Sequence, residues 1–199
     1  MSRKDHLLKE FYEVKNFLIH FLRHPIMEIK NVPDWHWYRL IGVHCALSAL
    51  AGALGGLVDK KFSFLIIAGF FYKPILTLTS LAIGTLFFYY IFQIFLQKTV
   101  SIRRLFTLVM LASIPQLLFE IVSGYVPPIS LVGMAFTALL LLVGFSENFQ
   151  IEKKFVVRIL SGLYALFFLL WVWQRVNSAR MEQTWNLERH IAPKVELGK

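Results

Sequence analysis

The chain has 199 residues, 57% of them hydrophobic, with a mean hydropathy of +0.59 and a formal net charge of +9. Soluble domains of this size are about 45–50% apolar, and the excess here is gathered into long runs, which excludes an ordinary globular domain and points to a membrane protein. The positive charge falls beside those runs, where it faces anionic headgroups and sets topology, so nucleic acid is not an expected partner.

Taken in chain order, Asp5 to Leu22 reads as a helix, with Leu7, Leu8, Phe11, Val14, Leu18, Phe21 and Leu22 recurring at spacings of three and four. Polar and basic residues fill the rest, so the helix is expected on a membrane surface, against a partner, or on the underside of its own bundle. The leading MSRKDHLLKEFYEVKNF has no apolar core segment, so no cleavable signal peptide is expected. Pro25 and Pro33 bracket a connector read as non-helical, with Asp34 placed to cap the next helix.

The first span runs from about Tyr38 to Val58, preceded by Trp35 and Trp37 as an aromatic belt. Gly42, Ala46, Ala49, Ala53 and Gly56 share one face and are expected to pack against a neighbouring helix. After a polar break at DKKFS, the eight residues Phe64 to Phe71 are too few to cross and read as an interfacial or re-entrant piece. Lys73 and Pro74 then open the second span, to about Leu96, with Thr77, Ser80 and Gly84 as its small face.

The third span is about Leu105 to Val122, the fourth about Ile129 to Phe145, and the fifth about Phe155 to Trp173. SENFQIEKK reads as a loop between the last two, and the tail from Gln174 as a polar helix ending near Pro193. The fold class is therefore all-α: a polytopic membrane bundle of about five transmembrane helices with an N-terminal amphipathic interfacial helix. Three segments follow: 1–37 cytosolic or interfacial, 38–174 membrane, and 175–199 a polar tail. The Lys/Arg bias places the N-terminus inside and the C-terminus outside. Lys4, Lys9, Arg23, Arg103, Arg104, Lys153 and Lys154 then form an inner membrane-surface set.

Among chemical motifs, no nucleophile elbow, phosphate-binding glycine loop or HExxH pattern is present. His20 and His24 have i,i+4 spacing but no third placed ligand, and Cys45 is single, so no metal, cofactor or catalytic set is expected. The residues that draw attention are polar groups inside spans. His44 lies in the first. In the third, Ser113, Gln116, Glu120 and Ser123 share a face, and Pro115 should kink the helix. Lys73 is the partner of Glu120 in sign. Yet antiparallel pairing about the Lys98–Arg104 turn sets Glu120 opposite Leu81, about 12 Å from Lys73, so an ion pair requires helix stagger or a kink.

Three stretches resemble the Yip membrane proteins, named for interaction with Ypt/Rab GTPases, and in particular their short bacterial members. These are FLRHPIMEIKNVPD (Phe21 to Asp34), SIRRLFTLVMLASIPQLLFEIV (Ser101 to Val122) and LVGMAFTALLLLVGFSENFQIEKKFVV (Leu131 to Val157). The likeness covers roughly residues 17 to 176, with Pro115 as the position that matches the family best. It implies a five-helix bundle with a cytosolic N-terminus, and eukaryotic members take part in vesicle trafficking. The expected role, with no catalytic set present, is a non-enzymatic one of organising or binding membrane components, in a bacterial inner membrane. Expected partners are the bilayer and other membrane proteins or further copies of the chain, with a small GTPase only by analogy to eukaryotic members. The alternative is a small transporter or channel subunit with a polar path around Glu120, Gln116 and Lys73.

Overall fold

The computed structural model describes residues 3–58, 64–123, 125, 126 and 128–191, and every regular element among them is a helix. In order these are α1 (Arg3–Arg23), α2 (Pro25–Glu28), α3 (Trp37–Val58), α4 (Phe64–Leu96), α5 (Ile102–Val122), α6 (Ile129–Phe149) and α7 (Lys153–Ile191). Five of them are long and apolar enough to cross a bilayer: α3, α4, α5, α6 and the part of α7 from Lys153 to Ser178. The all-α polytopic architecture expected from the hydropathy pattern is what is found. The chain divides into two compact units, residues 1–158 and 159–199.

Within the first unit α5 is the central helix. Its residues from Leu105 to Ala112 are all buried, with Leu105, Leu108, Met110 and Leu111 fully so. A helix apolar on every side is stable only when neighbours cover every side. Here α3, α4 and α6 all pack against it, and α3 also packs along α4. At the end where α4 and α6 finish, Phe145 of α6 meets Phe88 and Phe92 of α4 at ring-centroid distances of 4.8 and 5.0 Å. The second unit continues α7, whose Leu166 to Leu170 are all exposed, as befits a helix meeting lipid chains.

Several local expectations change. The connector holds one helical turn, α2, because Pro25 is pre-set for a first-turn position and the Ile29 N–H reaches the Pro25 carbonyl at 3.0 Å. Asp34 does not cap α3, whose first backbone bonds reach the His36 carbonyl; its carboxylate instead takes the Arg103 guanidinium at 2.7 Å. Phe64 to Phe71 is no separate interfacial piece but the opening two turns of α4, which passes through Pro74 without ending. The packing of Gly69 on α3 holds that segment in line. The expected break at residues 59–63 lies outside the described residues.

Both α4 and α6 end in the same way. Gln97 and Gln150 take left-handed backbone conformations, with φ of 50° and 51°. The next N–H reaches back six residues, Lys98 to Phe92 at 3.2 Å and Ile151 to Phe145 at 3.4 Å. The closure is one residue wider than a Schellman motif, with glutamine in the left-handed place that glycine usually takes. It carries α6 through Ser146–Phe149, which the sequence assigns to a loop.

The close helix contacts sit at glycines, though not at the expected ones. A Cβ on Gly52 would collide with the Gly69 carbonyl of α4, and one on Gly69 would stand 2.9 Å from the Gly52 carbonyl carbon. Gly133 and Gly144 of α6 lie likewise against Phe119 and Leu108 of α5. By contrast, Gly42 and Gly84 have open space where a Cβ would be, and Ala46 and Ser80 are exposed. Ala49 and Ala53 are half-buried, and Gly56 lies outside the residues whose surroundings are described. The buried face of α3 is Leu40, His44, Ser48, Ala51 and Gly52, offset from the small-residue stripe because polar His44 and Ser48 also turn inward. We expect Gly52→Ala to destabilise the protein by about 1–3 kcal/mol through overpacking, and Gly42→Ala to change little. Thermal unfolding of the two variants in detergent micelles checks the contrast.

Candidate functional site

The polar residues inside the spans meet where α3, α4 and α5 adjoin. The Lys73 ammonium lies 3.2 Å from Glu120 Oε1, joining α4 to α5. The contact requires the stagger that symmetric pairing lacks. Gln97 turns the chain sharply at the end of α4, and α5 begins at Ile102, earlier than its hydropathy suggests. The helices are thereby displaced relative to a turn centred between Lys98 and Arg104, and the lysine stem covers the remaining gap. That stem crosses the α3 surface at Gly52, where a Cβ would stand 3.1 Å from Lys73 Cδ. The missing side chain thus serves both the helix crossing and the ion pair.

One turn along α4, the Thr77 hydroxyl sits 3.1 Å from His44 Nε2 and donates to the Lys73 carbonyl at 2.9 Å. His44 is buried, and Ser48, fully buried beneath it, donates to the His44 carbonyl at 2.7 Å. Imidazole, hydroxyl, ammonium and carboxylate therefore follow one another from α3 across α4 to α5. Lys73 is mostly covered, whereas 44% of the Glu120 side chain is exposed. The pair stands at the margin of the bundle, not at its centre, and Ser123, three residues on, closes α5.

The rest of the polar stripe on α5 does not join this group. Ser113 donates to its own Met110 carbonyl at 2.7 Å, and Ser123 to Glu120 at 2.7 Å. Gln116 falls at the α5–α6 contact, where Gly133 packs against its Cα, and Pro115 borders an apolar groove on the same side. The same inward closure holds at Thr79, Thr85 and Thr107, each bonded to the carbonyl four residues back. Where lipid offers no acceptors, a hydroxyl closed on its own helix is satisfied without a partner.

At the other end of the bundle, residues that sequence reasoning passed over hold α1 and the connector. The Arg39 guanidinium pairs with Glu10 and lies 3.9 Å from Glu13, while the Tyr38 hydroxyl donates to Glu10 at 3.0 Å. Asn148 clasps the connector from both sides: its amide donates to the Ile29 carbonyl at 2.8 Å and its oxygen accepts the Val32 N–H at 3.1 Å. The signal for Asn148 was its i+4 spacing from buried Gly144, hidden by the loop-like composition around it. Lys98 donates to the Gln150 carbonyl at 2.8 Å. Of the basic surface set, Lys9, Arg23, Arg104, Lys153 and Lys154 are exposed, Arg103 is held by Asp34, and the Lys4 side chain lies outside the described residues.

The Lys73–Glu120 pair is testable as a unit. Lys73→Met and Glu120→Gln should each lower stability, and together should cost less than their sum, with a coupling of about 1 kcal/mol as befits a partly exposed pair. Strict additivity in a thermal double-mutant cycle would show that the pair does not hold α4 to α5.

The comparisons with known proteins agree with this architecture. No curated protein and no solved structure matches the chain. A family model, the Yip1 domain, matches residues 19–174, which takes in α2 to α6, the end of α1 and most of the apolar part of α7. With five helices able to cross a bilayer and a match over most of its length, this chain belongs to the Yip1 domain family of integral membrane proteins.

Proposed function

We propose that this protein organises or binds other membrane components and catalyses no reaction itself. The observation that carries the reading is the way α1 is presented. Arg39 and Tyr38, at the start of α3, grip Glu10 and fix the helix to the first unit. Phe17 packs edge-on to Trp35 at 5.2 Å, and Phe21 is buried. On the free side Phe11, Tyr12 and Ile19 stay exposed beside Lys9, Lys15 and Arg23. A helix anchored by one face, with apolar and basic residues on the other, suits a bilayer surface or a membrane-protein partner, including a second copy of the chain. A small GTPase enters only by family analogy.

The transport alternative draws on Glu120, Gln116 and Lys73. The two charges are spent on each other, and the hydroxyls nearby close on their own helices. These residues hold helices together better than they line a polar route. The charge bias supports a cytoplasmic N-terminus and external C-terminus in a bacterial inner membrane.

Two measurements test these readings. In a native pull-down from membranes, partners should survive Glu120→Gln and be lost on deleting residues 1–24. Flux through proteoliposomes that Glu120→Gln abolishes would favour transport instead. For topology, a reporter fused at Lys199 should be active only outside the cytoplasm, and cytoplasmic activity would reverse the orientation.

A further inference from the structure

An apolar groove of about 420 Å³ runs along the outside of α5 and α6. Pro115, Phe119 and Val122 form one wall and Ile129 and Phe136 the other, while Leu22 and Pro25, at the end of α1 and the start of α2, border it as well. The Phe119 and Phe136 rings stack at 5.9 Å along its length. We propose that this groove binds one acyl chain of an anionic phospholipid, with the headgroup phosphate held at the α1 end by Arg23 and His24.

Two observations choose this occupant. First, both walls belong to helices of membrane-spanning length and composition, so the groove opens on hydrocarbon. Leu118, Val122 and Phe136 are 48%, 43% and 48% exposed, so the other helices of the first unit leave its walls open. Second, the charge beside its α1 end is mainly positive. Arg23 and His24 lie between Leu22 and Pro25 in the chain and are exposed, and Lys30 is exposed just beyond α2, against the half-buried Glu28. A ligand with an apolar chain and a phosphate suits both the groove and its basic end, which an uncharged lipid would not. Pro115 helps to shape the wall, since proline has no N–H to bond back to residue 111.

This binding shares Arg23 with the partner-facing side of α1 and is tested with a different readout. The full chain is placed in phosphatidylcholine vesicles containing phosphatidylglycerol that carries a diazirine in its acyl chain. After irradiation the adducts are mapped by peptide mass spectrometry. Adducts should concentrate on residues 115–122 and 129–136, about five-fold above those on Ile83 and Ile94 of α4, which are equally open to lipid. Val122→Trp, which fills the groove, and Arg23→Glu, which reverses its mouth, should each cut groove labelling about five-fold and leave α4 labelling unchanged. A phosphatidylcholine probe should label the groove several-fold less than the phosphatidylglycerol probe. Even labelling of α4 and the groove would overturn the proposal, as would indifference to Val122→Trp or equal labelling by the two headgroups. Cross-linked dimers in place of lipid adducts would assign the groove to a second copy. If Val122→Trp does not fold, Leu118→Trp replaces it, and the contrast between groove and α4 in the unaltered protein decides alone.

Discussion

The approach of Gly52 to Gly69 is the constraint on which the arrangement of α3, α4 and α5 depends. Backbone meets backbone there, with no room for a methyl group on either helix. In a bilayer, lipid is as apolar as leucine, so helices gain little from burying apolar surface against each other and associate through close packing and hydrogen bonds. Once α4 is fixed on α3 at this depth, the Lys73 stem is laid across the glycine and its ammonium arrives at Glu120. The same registration sets Thr77 opposite His44, one turn along. The polar contacts are consequences of the crossing and also lock it, since sliding α4 by one turn would strand two charges and an imidazole in apolar surroundings.

A second regularity runs through the spans. Ser48, Thr77, Thr79, Thr85, Thr107 and Ser113 are each spent on their own helix, bonded to a carbonyl three or four residues back, whereas Thr137 and Ser146 of α6 are buried without a partner among the described residues. Among the described residues, the long-range polar contacts within the α3–α5 core are the histidine–threonine and lysine–glutamate pairs. The ends of the bundle are treated differently. There, charged and amide side chains reach across long stretches of sequence: Arg39 to Glu10, Arg103 to Asp34, and Asn148 to the connector. Polar groups in the hydrocarbon depth are kept local, and those at the margins do the joining.

How much of this is visible in the sequence depends on the physical range of each signal. The number, order and approximate bounds of the spans follow from hydropathy, because a helix crossing lipid must be apolar over about 20 residues regardless of its neighbours. Small residues marked α3 as a packing helix, but the contact falls on Gly52 and not on the Gly42–Gly56 stripe, because the buried face is chosen by His44 and Ser48 as well as by size. Phe64 to Phe71 looked too short to cross only because Lys73 and Pro74 looked like a boundary; packing at Gly69 keeps the helix continuous. The ends of α4 and α6 were hidden for another reason: glutamine gives no compositional sign of the left-handed turn that glycine usually announces. The Lys73–Glu120 pair was recognisable in charge and missed in distance, since stagger between helices is set by tertiary packing. Asn148 and Arg39 contact residues that no local pattern connects to them.

The Asn148 clasp has a consequence for the order in which the chain assembles. Its two bonds join residues 116 and 119 apart, whereas the Arg39–Glu10 contact spans 29 residues and the Arg103–Asp34 contact 69. During synthesis these closures become possible one after another as α3, α5 and finally the last turn of α6 emerge. The connector from Ile29 to Val32 must therefore wait, with a backbone donor and acceptor still in search of partners, until four helices have been inserted. The asparagine is a late fastening of the first unit, available only once α6 has followed the three spans before it.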